Sequence, residues 1–187
     1  LDPYLPIPRL KRVEGHLEWD VNRPQTIGRV RSFAGNFGIL VRAFAYIRAH
    51  GASGMERVSR AAIINANYLK SKVRGRYREA VPGPCMHEFV VVPDEAIAHG
   101  VKVADIAKRL LDYGFHSPTL SWPIRNCLMV EPTETESRQT LDKFAEAMVA
   151  ISDEAISDPE KIRSAPHRLP VKRMDEVAAA RNLDLRS

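Results

Sequence analysis

Cysteine is almost missing from this chain. Cys85 and Cys127, two residues in 187, are too few for a disulfide framework, and neither stands in a CxxC or other zinc-ligand spacing, so no metal site is expected. They read as reduced, half-buried thiols, a pair that could bridge only if the strands they border are adjacent. Long apolar runs are missing too. The most hydrophobic stretch, residues 39–47, is interrupted by Arg42 and falls far short of the roughly 20 residues of a membrane-spanning helix. The opening LDPYLPIPRLKR has no charged start followed by an apolar core, so no secretory signal and a cytoplasmic protein are expected. A first residue other than Met suggests processing or truncation. Blocks of like charge are also lacking. The net charge is +5, from 28 Lys and Arg against 23 Asp and Glu, but the cations are spread singly among acids. That distribution suits a solvated basic face, or attraction to an acidic protein partner, better than a nucleic-acid groove. No P-loop, Ser-His-Asp signature, internal repeat or low-complexity tract is present.

What the chain does have is enough apolar residue, 44%, for one modest core. Its most informative stretch is GFHSPTLSWPIRNCLMVEPTETES, residues 114–137. Gly114 follows the periodic run Val103, Ile106, Ala107, Leu110, Leu111, where a residue free to take positive φ ends a helix. Residues 119–122 and 127–130 are short β-branched, aromatic and aliphatic runs around Pro-Ile-Arg-Asn, which reads as a hairpin. Thr133 and Glu136 then have the spacing of a capping box for a helix with the stripe Leu141, Phe144, Ala145, Met148, Ile151, Ala155.

Upstream, Ser53 and Glu56 offer a second capping box, for a helix to about Val73 with Met55, Val58, Ala62, Ala66, Leu69 and Val73 on its stripe. Asn65 and Asn67 lie two apart, so at most one of them faces a given site, and a solvated or capping role suits either. After Gly75 and Pro82-Gly83-Pro84, residues 87–92 form a strand with His87, Phe89 and Val91 on one face. Residues 53–157 thus read α, β, α, β, β, α. The expected fold is α+β, an α/β layer with helices on one face of a small mixed or antiparallel sheet.

The flanks differ. In residues 1–52, Pro3, Pro6, Pro8 and Pro24 oppose helix, and only residues 16–21 alternate, a single strand that cannot stabilise itself. Helix 39–48 has almost no polar face and is expected to be buried between layers. Residues 158–187 return to irregular chain after Asp158-Pro159, closing on a short helix at residues 175–181. Arms of this kind suit packing on another domain or subunit.

The quoted 114–137 stretch, together with NRPQTIGRVRSFAGNFGILVRAFAYIR, NANYL, GPCMHEFV, DIAKRLLDYG and APHRLPVKRMDEVAAAR, closely resembles the C-terminal part of the P-protein of the glycine cleavage system, the decarboxylating glycine dehydrogenase. The tail resembles the second subunit of the two-subunit bacterial form. This resemblance implies the small C-terminal domain of a fold type I pyridoxal phosphate enzyme, residues 53–157, with residues 1–52 and 158–187 as arms. It implies a parent that decarboxylates glycine on pyridoxal phosphate and passes the aminomethyl group to the lipoyl arm of the H-protein. A companion subunit or upstream domain and an oligomeric parent are implied as well, with neither membrane nor nucleic acid among the partners. The family's cofactor lysine lies in a His-Lys pair, and this chain has no such dipeptide. The cofactor is therefore expected to be bound mainly by an upstream domain, and the chain to be inactive alone.

Candidate residues follow. Asn36, Phe37 and Gly38, in AGNFG, offer backbone N–H groups at a helix start, a geometry that binds phosphate, although tight loop packing explains two glycines as well. His116, on the loop after Gly114, either fixes that loop or acts as a general acid or base. Glu131, at a strand end, is the carboxylate that capping does not explain, whereas Glu134 and Glu136 suit a helix N-terminus. His87 and Glu88 point to opposite faces, and a metal site from Cys85, His87, His116 and Cys127 matches no standard spacing. Two other readings stay open: a stand-alone ligand-binding or regulatory α+β module, and an RNA-binding protein, against which stands the lack of a basic-Gly-aromatic motif in either strand region.

Overall fold

The computed structural model describes residues 1–30 and 35–183 and divides into two compact units, Leu1–Met55 and Glu56–Ser187. Residues 31–34, which include the alanine of AGNFG, and the last four residues of the tail lie outside the described residues.

The first unit holds an antiparallel hairpin, β1 (Arg9–Val13) with β2 (His16–Asp20), in register from Arg9 opposite Asp20 to Val13 opposite His16. The single strand expected at 16–21 therefore has a partner. Glu14 (φ 48°) and Gly15 (φ 86°) make the two-residue turn, whose paired positive φ values match the twist of the strands it joins. Arg23 ties the segment together by donating to the Asp2 carboxylate (2.7 Å) and to its backbone carbonyl (2.8 Å). Leu10 pairs with Trp19, and both are exposed.

Helix α1 (Phe37–Val73) breaks at Gly51, where φ is 62° and ψ −177°. Only glycine takes that conformation cheaply. Residues 37–50 form the apolar helix expected from sequence, and in this chain they are exposed, Phe37 at 79% and Phe44 at 67%. Beyond the break, Ala66, Leu69 and Val73 form the buried stripe of the second unit.

In that unit a four-stranded antiparallel sheet runs in the order β3 (Arg78–Glu79), β4 (Phe89–Val92), β6 (Leu128–Val130), β5 (Thr119–Leu120). Phe89 and Val91 lie opposite Val130 and Leu128, so these four share one face, and all four are buried. The other face, with Val90 and Met129, is only half-covered. Against the buried face pack the second part of α1, α3 (Val103–Asp112) and α4 (Arg138–Ser157), through Leu69, Ile106, Leu110, Leu141, Met148 and Ile151. This is the α+β layer expected, with β3 and the short α2 (Asp94–Ala98) and α5 (Pro159–Arg163) added. Gly114 (φ 82°) stops α3, with the Phe115 N–H donating to the Leu110 carbonyl, a left-handed C-terminal cap. The α4 cap departs from expectation. Ser137, not Thr133, is the N-cap and accepts from the Thr140 N–H at 3.1 Å, because Thr133 is taken up in a turn that the Glu136 N–H closes on its carbonyl. Asp158 ends α4 and at once caps α5, accepting from the Lys161 N–H, so helix continues where irregular chain was expected. The tail then returns along α3 to α6 (Glu176–Arg181).

Charges fix that return. Arg109 donates to Glu154 (2.9 Å) and Asp112 (2.9 Å), and Lys161 reaches Glu154 at 2.6 Å. Burial works against the Glu154 carboxylate, but these two cations outweigh it and hold its pKa down at about 2. The Asp112 side chain, 1% exposed, accepts from the His167 and Arg168 N–H groups at 2.7 Å each. Burial opposes its charge as well, and the two N–H groups and Arg109 still keep its pKa below the ordinary range. Among the described residues no helix is long and apolar enough to cross a membrane.

Candidate functional site

The strand end at Glu131, the loop after Gly114, the turn before α4 and the α1 stripe meet around one cavity of about 270 Å³. Its walls are Leu69, Val130, Pro132, Leu141 and the edge-to-face pair Phe115 and Phe144, whose ring centres are 5.2 Å apart. Its polar lining is His116, Ser117, Glu131, Glu136 and Thr140. His116 and Glu131, singled out from sequence on separate grounds, therefore line the same space.

The elements that place them are held by side chains whose partners are distant in sequence. Asn65 donates to the carbonyls of Thr133 (2.8 Å) and Glu136 (3.3 Å), which fixes the turn carrying Glu136. Asn67 clamps Cys85, donating to its carbonyl at 2.7 Å and accepting its N–H at 3.0 Å. Neither is the solvated or capping asparagine expected. Lys70, buried, donates to the carbonyls of Val81 (2.9 Å) and Gly83 (2.7 Å) and pairs with Glu79 at 3.2 Å, so the loop before β4 closes over it. Patterning carries no sign of these three roles. A polar residue on an otherwise apolar helix stripe is the one available hint.

His116 Nδ1 lies 2.9 Å from the Ser117 carbonyl. A carbonyl only accepts, so Nδ1 carries the hydrogen of the neutral ring and Nε2 is its basic nitrogen. The ring is thus tied to its own loop, and it lines the cavity. Glu131 stands 3.8 Å from His87 Nε2, with both side chains half exposed. That separation is too long for a hydrogen bond and suits an ion pair when His87 is charged. A second cavity, about 320 Å³, shares Glu131 and Pro132 and is lined also by Val58, Ala62, Met86 and His87.

The cysteines are both free. Cys127 is buried, with its Sγ donating toward the carbonyls of Trp122 (3.1 Å) and Ile124 (2.9 Å), which fastens the β5–β6 turn. Burial pushes the Cys85 thiol pKa up, the opposite of an activated nucleophile. Among the described residues no group of three or more His, Cys, Asp or Glu is arranged to hold a metal ion. Asn36, Phe37 and Gly38 open α1 in the first unit, where the Asn36 carbonyl accepts from the N–H groups of Ile39 and Leu40 at 3.1 Å.

Comparison with known proteins adds a second line of observation. The family model described as glycine dehydrogenase, C-terminal domain, matches residues 58–172. A protein named probable glycine dehydrogenase (decarboxylating) subunit 2, from Caldanaerobacter subterraneus subsp. tengcongensis, is 48% identical over 184 residues, which are 97% of this chain and 38% of that protein. Proteins of the same name from Prosthecochloris aestuarii and Chlorobium phaeobacteroides are 50% and 51% identical, over 99% and 97% of this chain and 39% of each relative. The chain therefore spans about two fifths of the length of these curated relatives.

Proposed function

We propose that this chain, which belongs to the glycine dehydrogenase C-terminal domain family, is the C-terminal part of a decarboxylating glycine dehydrogenase of the two-subunit kind. The parent, a cytoplasmic oxidoreductase of glycine catabolism, releases CO2 from glycine and passes the aminomethyl group to the lipoyl arm of the H-protein. The observation that carries the reading is identity near 50% with subunit 2 proteins along nearly the whole chain.

Pyridoxal phosphate supplies such a reaction with an electron sink. The 270 Å³ cavity does not fit that group, because no Lys or Arg lines it and Glu131 and Glu136 do, whereas a phosphate needs donors and positive charge. Lys70 is committed to two carbonyls and Glu79. The donor type that suits a phosphate occurs instead at the start of α1, where Asn36, Phe37 and Gly38 would lend first-turn N–H groups. The cofactor's lysine and main contacts belong elsewhere in the parent, and this chain is inactive without them.

Its contribution is to close the mouth of the active site, exclude water, and set His116 and Glu131 toward the carrier arm. The exposed apolar residues Phe37, Leu40, Phe44 and Ile47, and the hairpin residues Leu10 and Trp19, support residues 1–52 as an arm that is covered in an oligomeric parent. In the same division, residues 53–157 form the compact domain and residues 158–187 the tail.

The test is exchange of labelled bicarbonate into the carboxyl of glycine by the full-length protein, with its companion subunit, pyridoxal phosphate and lipoylated H-protein. Exchange that requires the carrier is expected. Its absence from a protein that holds the cofactor would overturn the reading.

A further inference from the structure

We infer that the cavity at the open end of the β1–β2 hairpin is a docking site for an extended peptide segment, one of whose main-chain carbonyls accepts from Arg23 Nε. The occupant is a segment of the same polypeptide outside this chain. The inference therefore rests on the reading of the chain as part of a longer protein, and not on the reaction proposed for it.

The site is framed before anything enters it. Residues 4–7 and 26–28 run side by side: the Ile27 N–H donates to the Tyr4 carbonyl and the Ile7 N–H to the Gly28 carbonyl, each at 3.2 Å, and the Thr26 hydroxyl to the Leu5 carbonyl at 2.5 Å. At the open end of the hairpin Arg9, first in β1, pairs with Asp2, and Arg23 donates to Asp2 and, at 3.2 Å, to Asp20, last in β2. A cavity of about 310 Å³ lies there, lined by Pro3, Asn22, Arg23, Pro24 and Gln25. A frame fixed in this way loses little freedom on binding.

One atom there is short of a partner. Among the described residues, Arg23 Nε is the buried side-chain nitrogen without a hydrogen bond, although both terminal nitrogens of the same guanidinium are engaged. Buried polar groups in folded proteins almost always have partners, so this N–H marks a missing acceptor. Charge says which kind. Arg9 and Arg23 are matched by Asp2 and Asp20, which leaves no net charge to draw an anion, and a neutral carbonyl oxygen satisfies a single N–H. The side-chain amides of Asn22 and Gln25, both exposed in the lining, each offer donors and an acceptor, the complement of a peptide group. Pro3 and Pro24 add apolar walls. The 310 Å³ is about twice the roughly 150 Å³ that accepts benzene, room for a peptide group and a side chain. Since Pro3, Pro24 and Gln25 are exposed, seating the carbonyl asks only for a small shift of surface residues.

The source of the segment follows from what else is uncovered. Leu10, Leu17 and Trp19 of the hairpin are each more than half exposed, and a two-stranded hairpin is marginal alone. The relatives named above extend for about three fifths of their length beyond what this chain matches, so a long stretch of the same polypeptide is available to cover hairpin and cavity together.

The experiment is hydrogen exchange, read by mass spectrometry on the full-length protein with its companion subunit, comparing the unaltered form with Arg23→Lys and with the double variant Asn22→Ser, Gln25→Ser. Lysine keeps the charge that faces Asp2 and Asp20 but has no Nε–H, and the double variant leaves Arg23 and its ion pairs in place. In both, one segment of the same polypeptide outside this chain is expected to exchange at least about tenfold faster, with residues 56–187 unchanged. A crystal structure of the unaltered full-length protein is expected to place a main-chain carbonyl of that segment within about 3.2 Å of Arg23 Nε. Faster exchange confined to residues 1–30 in both variants would overturn the inference, because that is what a purely internal role of Arg23 gives. So would loosening of a companion-subunit segment instead, or a water or carboxylate as the acceptor at Nε. Neither readout uses activity, so a failure of bicarbonate exchange and a failure of docking are separate results.

Discussion

Asp112 holds the start of the tail to α3, where Asp105 and Lys108 hold Arg173 and Glu176 further on, and its removal should be felt at two identifiable amides. In Asp112→Ala the N–H groups of His167 and Arg168 lose the carboxylate that accepts both at 2.7 Å, and Arg109 loses one of its two anionic partners. Hydrogen bonds to a charged group contribute about 1.5–3 kcal/mol each. If breaking the pair lowers the local opening free energy by about 3 kcal/mol, exchange at those amides speeds up by on the order of 100-fold, at 1.4 kcal/mol per tenfold. Arg109 stays paired with Glu154 in this variant, so α3 should lose less protection than the tail. Glu154→Gln is the complementary perturbation. It weakens the partner of Arg109 and Lys161 while leaving the tail amides their acceptor, so stability should fall with the 167–168 amides still protected. Hydrogen exchange read by NMR or mass spectrometry separates the two patterns. Unchanged exchange at His167 and Arg168 in Asp112→Ala, or equal loosening of the tail by both variants, would refute this assignment.

Glu154, with its carboxyl held at about 2 against an ordinary 4.5, contributes stability that is fully present above pH 4.5 and disappears as the pH falls toward 2. The amount is on the order of 3 kcal/mol, so acid unfolding should be shallower over that window in Glu154→Gln than in the unaltered protein, as urea midpoints against pH would show. Leu110→Ala, at a fully buried position of α3, should cost about 2–5 kcal/mol and lower the urea midpoint at unchanged slope; a loss below about 1 kcal/mol would mean the core is not packed around α3 as described. Asn67→Ala strands the half-buried N–H and carbonyl of Cys85, at about 1 kcal/mol, the low end for groups left unpaired because water reaches them, and should speed labelling of the Cys85 thiol by a maleimide while Cys127, buried under its own turn, stays slow.

The parts of this fold that sequence makes legible are those decided within a few residues. Gly114 ends α3 because the next turn needs positive φ, and the β5–β6 hairpin is written in two β-prone runs around a turn. The apolar stripe of α4 needs only periodicity. Local competition blurs the finer detail. Thr133 and Ser137 both precede a suitable partner three residues on, and Ser137 becomes the cap because Thr133 is closed into a turn and its hydroxyl meets Thr135 at 2.7 Å. The strand Arg9–Val13 is passed over because Arg-Leu-Lys-Arg-Val reads as a charged segment and its Glu-Gly turn lacks the Asn-Gly signature. At the site, His116 and Glu131 are identifiable singly, by their positions at element ends. The β5–β6 register, Thr119 opposite Met129, brings those two ends together, and only the rest of the cavity wall, from α1 and α4, depends on long-range packing. The clamps of Asn65 and Asn67 reach 68 and 18 residues along the chain, and no local pattern encodes a partner at such distance.

The most direct measurement is glycine–bicarbonate exchange by the full-length protein carrying His116→Asn or Glu131→Gln, with the companion subunit and carrier present and cofactor content read separately from its absorbance. A drop of at least about tenfold, the 1.4 kcal/mol scale of one lost polar interaction in a transition state, with cofactor content unchanged, is expected if this cavity belongs to the working site of the parent enzyme. Exchange at the unaltered rate in both variants would contradict that claim and leave the cavity outside the reaction.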